Sequence, residues 1–153
     1  MADRETLVRS WFDAWNARDF GALAEMYTAD AEYVRSDGKS HGIDEIIGYL
    51  RDISAAFPDE SATIEAILVA PDGVTVEWLE DATHLAPRTT PMGVIPATNK
   101  GFKNERVVTV VRFEGDKISS QREYYDLFSM MRQLGWMEFL AKAAAASASS
   151  TSA

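Results

Sequence analysis

The chain has 153 residues, of which 46% are hydrophobic; 15 Lys and Arg stand against 24 Asp and Glu, for a net charge of −9, and there is no cysteine. That length suits a single domain, and that apolar fraction collapses into a core rather than staying disordered. The acid excess excludes the basic face that nucleic acid or an anionic membrane requires, no apolar run of about 18 residues could span a bilayer, and the missing thiols exclude disulfides, thiolate metal sites and a cysteine nucleophile.

Residues Glu5 to Ala17 read as an amphipathic helix, with Leu7, Val8, Trp11, Phe12 and Trp15 at helical spacing. The opening Met-Ala-Asp-Arg-Glu lacks an apolar signal region, which sets the cytoplasm as the expected compartment. Asp19 suits the N-cap of a second helix, Phe20 to Tyr27. A short strand, Ala31 to Arg35, ends at the turn Ser36-Asp37-Gly38, and a third helix runs from Ile43 to Ala56. The period then changes to two. Strands are predicted over Thr63–Ala70, Val74–His84, Phe102–Phe113 and Lys117–Asp126, with turns at Pro71-Asp72-Gly73 and Glu114-Gly115-Asp116. Leu85 to Lys100 holds Pro87, Pro91, Pro96 and Gly93 and reads as a loop or lid. Leu127 to Leu134 looks helical, with Gly135 as its stop. The domain thus spans 1–140. From Ala141 to Ala153 the chain is almost only Ala, Ser and Thr and is expected to be a disordered tail with a helical start. Helices followed by antiparallel strands give an α+β class.

Several motifs resemble the nuclear transport factor 2-like superfamily. They are Trp11-Phe12-Asp13-Ala14-Trp15-Asn16-Ala17-Arg18-Asp19-Phe20, then Leu23-Ala24-Glu25-Met26-Tyr27, then Asp30-Ala31. Others narrow the resemblance to the SnoaL-like polyketide cyclases: His41-Gly42-Ile43, Phe57-Pro58-Asp59, Glu77-Trp78 with Thr83-His84, Gly93-Val94-Ile95-Pro96-Ala97-Thr98, Arg122-Glu123-Tyr124-Tyr125-Asp126, and Met131-Arg132-Gln133-Leu134-Gly135. The resemblance implies a cone-shaped, curved antiparallel sheet with three N-terminal helices around a central pocket. It further implies an enzyme that needs no cofactor and closes a ring by intramolecular aldol chemistry on a carbonyl-bearing, polycyclic substrate. Relatives assemble as homodimers or homotetramers, and the same is expected here.

Asp126 is the first catalytic candidate. By alternation it shares a face with Ile118, Ser120, Arg122 and Tyr124. A carboxyl group inside a cone would have a raised pKa and could act as general acid, the role the resemblance implies. It could equally cap the helix that starts at Leu127. His84, on the parity of Val76, Trp78, Glu80 and Ala82, is the second candidate, either as a partner of Asp126 or substrate, or as a strand-end histidine. Arg122 could anchor an anionic substrate or pair with Asp126 or Glu80, and Tyr124 could donate to a carbonyl. Trp15, Tyr33, Trp78 and Phe102 are expected to bind an apolar or aromatic small molecule, or to be core. His41 is read as structural. With only His41 and His84 as imidazoles and no recognisable ligand spacing, no metal site is expected.

Two relatives in fold fit poorly. The positions matching the tyrosine and two aspartates of ketosteroid isomerase hold Trp11, Arg35 and Thr109. Arg106 matches the arginine of limonene epoxide hydrolase, but Val108 stands where its paired aspartate belongs. An epoxide hydrolase-like enzyme and a non-catalytic binding protein remain the alternatives to the cyclase.

Overall fold

The computed structural model describes residues 2–91 and 93–151. The first helix, α1 (Arg4–Ala17), starts where Asp3 accepts a hydrogen bond from the Thr6 backbone N–H. It buries Val8, Trp11, Phe12 and Trp15, the stripe its spacing predicts. Asp19 caps α2 (Phe20–Glu25) by accepting from the Ala22 N–H. That helix ends earlier than the sequence suggests, because Tyr27 already opens a strand, β1 (Tyr27–Arg35). A short strand, β2 (Gly38–His41), pairs back on β1 and leads into α3 (Gly42–Ala56), which buries Ile46, Ile47 and Leu50.

Two long strands follow, β3 (Ser61–Ala70) and β4 (Gly73–Thr83). The proline-rich segment after them is not wholly irregular. It contains a small hairpin of β5 (Arg88–Thr90) and β6 (Gly93–Ile95). Met92, within that segment, lies outside the described residues. Strands β7 (Gly101–Glu114) and β8 (Lys117–Tyr125) complete the sheet, and α4 (Leu127–Gln133) and α5 (Trp136–Ser150) close the chain.

The main sheet has the order β2-β1-β8-β7-β4-β3. Its neighbours are antiparallel except β1 and β8, which run parallel, so the sheet is mixed rather than wholly antiparallel. Register shifts interrupt β3 between Ile64 and Ala66, β4 between Glu80 and Ala82, and the β7–β8 pair at Arg112 and Phe113. Such bulges bend strands and raise their twist, which curls the sheet. The helices pack on its inner side, where Trp11, Trp15, Ile46, Leu50, Val76, Trp78, Val107 and Val111 form one apolar cluster. Each fully buried aliphatic side chain there contributes roughly 1.5–3 kcal/mol. A second cluster of Ala56, Phe57, Ala82, Phe102, Met130 and Leu134 ties α4 to the end of the sheet.

The alanine-rich stretch from Ala141, expected as a disordered tail, continues α5 to Ser150 with no buried residue. Alanine's high helix propensity accounts for this. Ser152 and Ala153, the end of that expected tail, lie outside the described residues. Among the described residues no helix is long and apolar enough to cross a membrane.

Candidate active site

Between the helices and the curled sheet lies a cavity of about 540 Å³. Trp15 of α1, Tyr33 of β1, Trp78 of β4 and Phe102 of β7 line it, together with Trp11, Tyr49, Leu50 and Phe57. Residues of the β5–β6 hairpin and of α4 and α5, including Ile95, Met130, Leu134 and Trp136, complete the wall. The indole N–H groups are already committed. Trp11 donates to the Tyr27 hydroxyl at 2.8 Å, and Trp78 to Thr109 Oγ1 at 2.9 Å. These two rings therefore offer flat apolar faces rather than donors.

The polar lining is dominated by three carboxylates: Glu60, just before β3, Glu80 of β4 and Glu123 of β8. Glu60 accepts from Trp15 Nε1 at 3.0 Å, and Glu123 accepts from the Tyr33 hydroxyl at 2.6 Å. Desolvation pushes both upward, to a pKa of about 7 in each case, although Trp15, Arg18 and the Glu80 contact lower Glu60, and Tyr33 lowers Glu123. Glu80 is raised well above the usual carboxylate range, first by burial and then by the charge of Glu60. No N–H or hydroxyl group donates to the buried Glu60 Oε2, and the Glu60 and Glu80 carboxyl groups are in hydrogen-bond contact. Two carboxylates can share a hydrogen bond only when one holds a proton. The contact favours ionised Glu60 and protonated Glu80, so Glu80 is the donor of the pair.

The cavity also carries Arg35, Asp37, Arg88 and Tyr125. The Arg35 guanidinium carbon lies over the Tyr49 ring, 3.5 Å from its centre, and Nε donates to Asp37 Oδ1 at 3.2 Å.

The other residues singled out in the sequence lie elsewhere. Asp126 is exposed and accepts from the Ser129 N–H at 2.8 Å, so it caps α4 and does not reach the cavity. Arg122 and Tyr124 are exposed and line a separate hollow with Val110, Arg112 and Ser120. The expected alternation along β8 fails because Ser119 is the extra residue of a bulge. Arg112 pairs with Ser120, and Phe113 with Ile118. Ile118 therefore faces the core together with Gln121, Glu123 and Tyr125, while Ser120, Arg122 and Tyr124 face outward.

His84 is fully buried outside the cavity lining, stacked on Phe57 at 5.3 Å. Its Nδ1 accepts from Trp136 Nε1 at 3.1 Å and from the Thr98 N–H at 3.3 Å. Two donors aimed at Nδ1 put the ring proton on Nε2 and require a neutral ring. Desolvation lowers the His84 pKa, with the Ala86 backbone acting in the opposite sense. His84 thus fastens the start of α5 to the loop before β7. Among the described residues no three His, Asp or Glu side chains are placed to hold a metal ion.

The sequence reading missed Glu60 and Glu123 as site residues. Glu123 sits inside the Arg122–Asp126 motif, one position from the residues that alternation favoured. Glu60 follows Phe57-Pro58-Asp59, and no strand parity applies to it there.

The fold is shared with many solved structures. A hypothetical protein with a ketosteroid isomerase-like fold from Catenulispora acidiphila, solved in complex with trimethylamine, is 27% identical over 84% of this chain and 92% of its own, with a TM-score of 0.70. A proposed SnoaL-like polyketide cyclase from a Jannaschia species is 20% identical over 86% of this chain and 90% of its own, at a TM-score of 0.77. IdmH, a proposed polyketide cyclase from Streptomyces antibioticus, is 22% identical over 88% and 99%, at 0.72. No curated protein matches the sequence. The profile of the SnoaL-like domain matches residues 8–121, the stretch that builds α1 through most of β8, and the chain belongs to that family.

Proposed function

We propose that the chain is an acid/base enzyme that closes a ring by intramolecular aldol addition in a carbonyl-bearing, polycyclic small molecule. The observation that carries this reading is the set of three carboxyl groups gathered in an aromatic cavity, where burial pushes two of them up to about 7. A group poised at the working pH is an effective proton carrier. Ionised Glu123, oriented by Tyr33, removes a proton from the carbon α to a carbonyl. The resulting enolate forms the new C–C bond at a second carbonyl, and protonated Glu80 gives its proton to the alkoxide. One proton is taken and one delivered, no oxidant or reductant is consumed, and exchange with solvent resets the two carboxyl groups. The catalytic part expected of Asp126 and His84 thus passes to Glu123 and Glu80. The aromatic walls suit flat rings.

The test is α-proton exchange and cyclisation, followed by NMR in D₂O, on a panel of aryl β-diketones. Glu123→Gln should slow exchange by about 10²-fold or more, whereas Asp126→Asn should leave it unchanged. Full exchange in the Glu123 variant would sink the reading.

A second reading draws on Glu60 Oε2, a buried oxygen to which no N–H donates. A small ammonium ion could take the place of the Glu80 proton there, and the Catenulispora acidiphila protein was solved with trimethylamine. Calorimetry with trimethylammonium chloride on the wild type and on Glu60→Gln decides this. Binding that the substitution removes would favour an amine-binding cavity, and no binding would exclude it.

A further inference from the structure

The proposed proton transfers leave two cavity arginines unused. Arg35 is well satisfied. Its Nε bonds Asp37, its Nη1 bonds the Tyr33 carbonyl and Ser40 Oγ at 3.2 Å each, and Tyr49 covers its face. Arg88 is not. It opens β5 in the hairpin over the cavity and is only 9% exposed. Its closest carboxylate oxygen, Asp37 Oδ2, lies at 3.9 Å, too far for a hydrogen bond. Its guanidinium donates no hydrogen bond to the described residues, and its one ring contact is with Tyr49 at 5.6 Å.

Asp37 cannot easily serve it better. That carboxylate already accepts from Arg35 Nε on Oδ1 at 3.2 Å and from the Tyr49 hydroxyl on Oδ2 at 3.3 Å. Two guanidinium charges therefore share one carboxylate, each of whose oxygens already accepts a bond. Arg88 is thus a largely buried residue whose guanidinium finds no hydrogen-bond partner in the protein and opens onto the cavity, where a ligand can complete it.

We infer that Arg88 is an anion subsite and that the substrate carries a carboxylate, which the guanidinium binds through two parallel N–H donors. The inference rests on the reading of this cavity as the substrate site. A carboxylate fits better than a phosphate, because Arg88 is the cavity guanidinium that no carboxylate hydrogen-bonds, and a second negative charge on the ligand would meet Asp37. The substrate class is then a keto acid with an apolar, aromatic body. Arg88 holds its carboxylate and presents its carbonyl region to Glu123 and Tyr33.

The experiment compares 2-naphthoate with its neutral counterpart 2-naphthamide by calorimetry at constant ionic strength. The wild type should bind the acid at least about ten-fold more tightly, as expected for charge-assisted bonds. Arg88→Gln should bring the two within about two-fold, with naphthamide binding unchanged as proof of an intact cavity, and Arg88→Lys should keep part of the preference. The proposal is overturned if the acid does not bind, if acid and amide bind equally to the wild type, or if the preference survives Arg88→Gln. Inorganic phosphate displacing naphthoate more effectively than acetate would overturn the carboxylate assignment. Glu123→Gln should retain the preference, so a failure of the proton-transfer reading and a failure of this subsite give different results.

Discussion

Replacing Glu123 by Gln should stabilise the protein at alkaline pH while disabling it. The Glu123 carboxyl rises from 4.5 to about 7 on folding, first because burial penalises its charge. A raised pKa means that the folded state holds a proton which the unfolded chain has already lost. The stabilisation is complete below about pH 4.5 and is lost as the pH climbs through about 7. At 1.36 kcal/mol per pH unit, the difference of 2.5 amounts to roughly 3 kcal/mol. Gln has the shape of the protonated acid and still accepts from the Tyr33 hydroxyl, but never acquires the charge. The variant should therefore match the wild type at about pH 4 and exceed it by roughly 2–3 kcal/mol at about pH 8.5. For a chain of this length that corresponds to roughly 4–12 °C in Tm. Paired urea and thermal melts at the two pH values provide the measurement. His84, which Glu123 does not perturb, is common to both proteins and cancels, whereas loss of the Glu123 charge also eases ionisation of Glu60 and Glu80 and adds to the gain at about pH 8.5. Equal stability at pH 8.5, or an offset of the same size at both pH values, would refute the claim that burial holds this proton.

Three further outcomes follow from the geometry. Asp126→Ala should cost about 1 kcal/mol through loss of the α4 cap and leave α-proton exchange unchanged; a melt and an exchange assay check both, and loss of exchange in a folded variant would restore Asp126 to the chemistry. His84 should be seen by ¹⁵N NMR as a neutral ring protonated at Nε2 and still mainly neutral at pH 6.5, since its pKa is lowered on folding. The stability tied to that ring is present above 6.5 and falls away as the pH drops through the lowered value, and an imidazolium signal at pH 6.5 would contradict this. Gly101→Ala should destabilise by about 1–3 kcal/mol in a chemical melt, because a Cβ there would strike the Ala82 carbonyl oxygen across the β4–β7 pair; an unchanged midpoint would show that the strands can part to admit it.

The elements most legible in the sequence were those whose evidence is local. Asp19 and Asp126 stand before apolar turns and do cap α2 and α4. The stripe of α1 and the turn at Pro71–Gly73 also depend on near neighbours alone. The parallel pairing of β1 with β8 could not be read locally. It joins residues about ninety positions apart, such as Tyr33 and Gln121, and no short-range pattern records such a pairing. The same holds for β2, whose Gly-Lys-Ser-His sequence has little strand propensity and is held by its register with Glu32–Arg35.

The site turns on one residue of bulge. Strict alternation through β8 puts Asp126, Tyr124 and Arg122 inside and Glu123 outside, and it makes Ile118 and Tyr125 incompatible, because seven positions separate them. Both are largely apolar, and both are needed on the inner face, one in the core and one on the cavity wall. An odd separation between two inward residues of one strand demands an extra residue between them, and Ser119 supplies it. The signal was thus present as a conflict between two apolar positions rather than as a motif. Resolving that conflict exchanges the whole set: an exposed Asp, Tyr and Arg leave the site, and a buried carboxyl beside Tyr33 enters it. Inserting one residue after Ser120 should reverse this exchange, carrying Arg122 inward and Glu123 out.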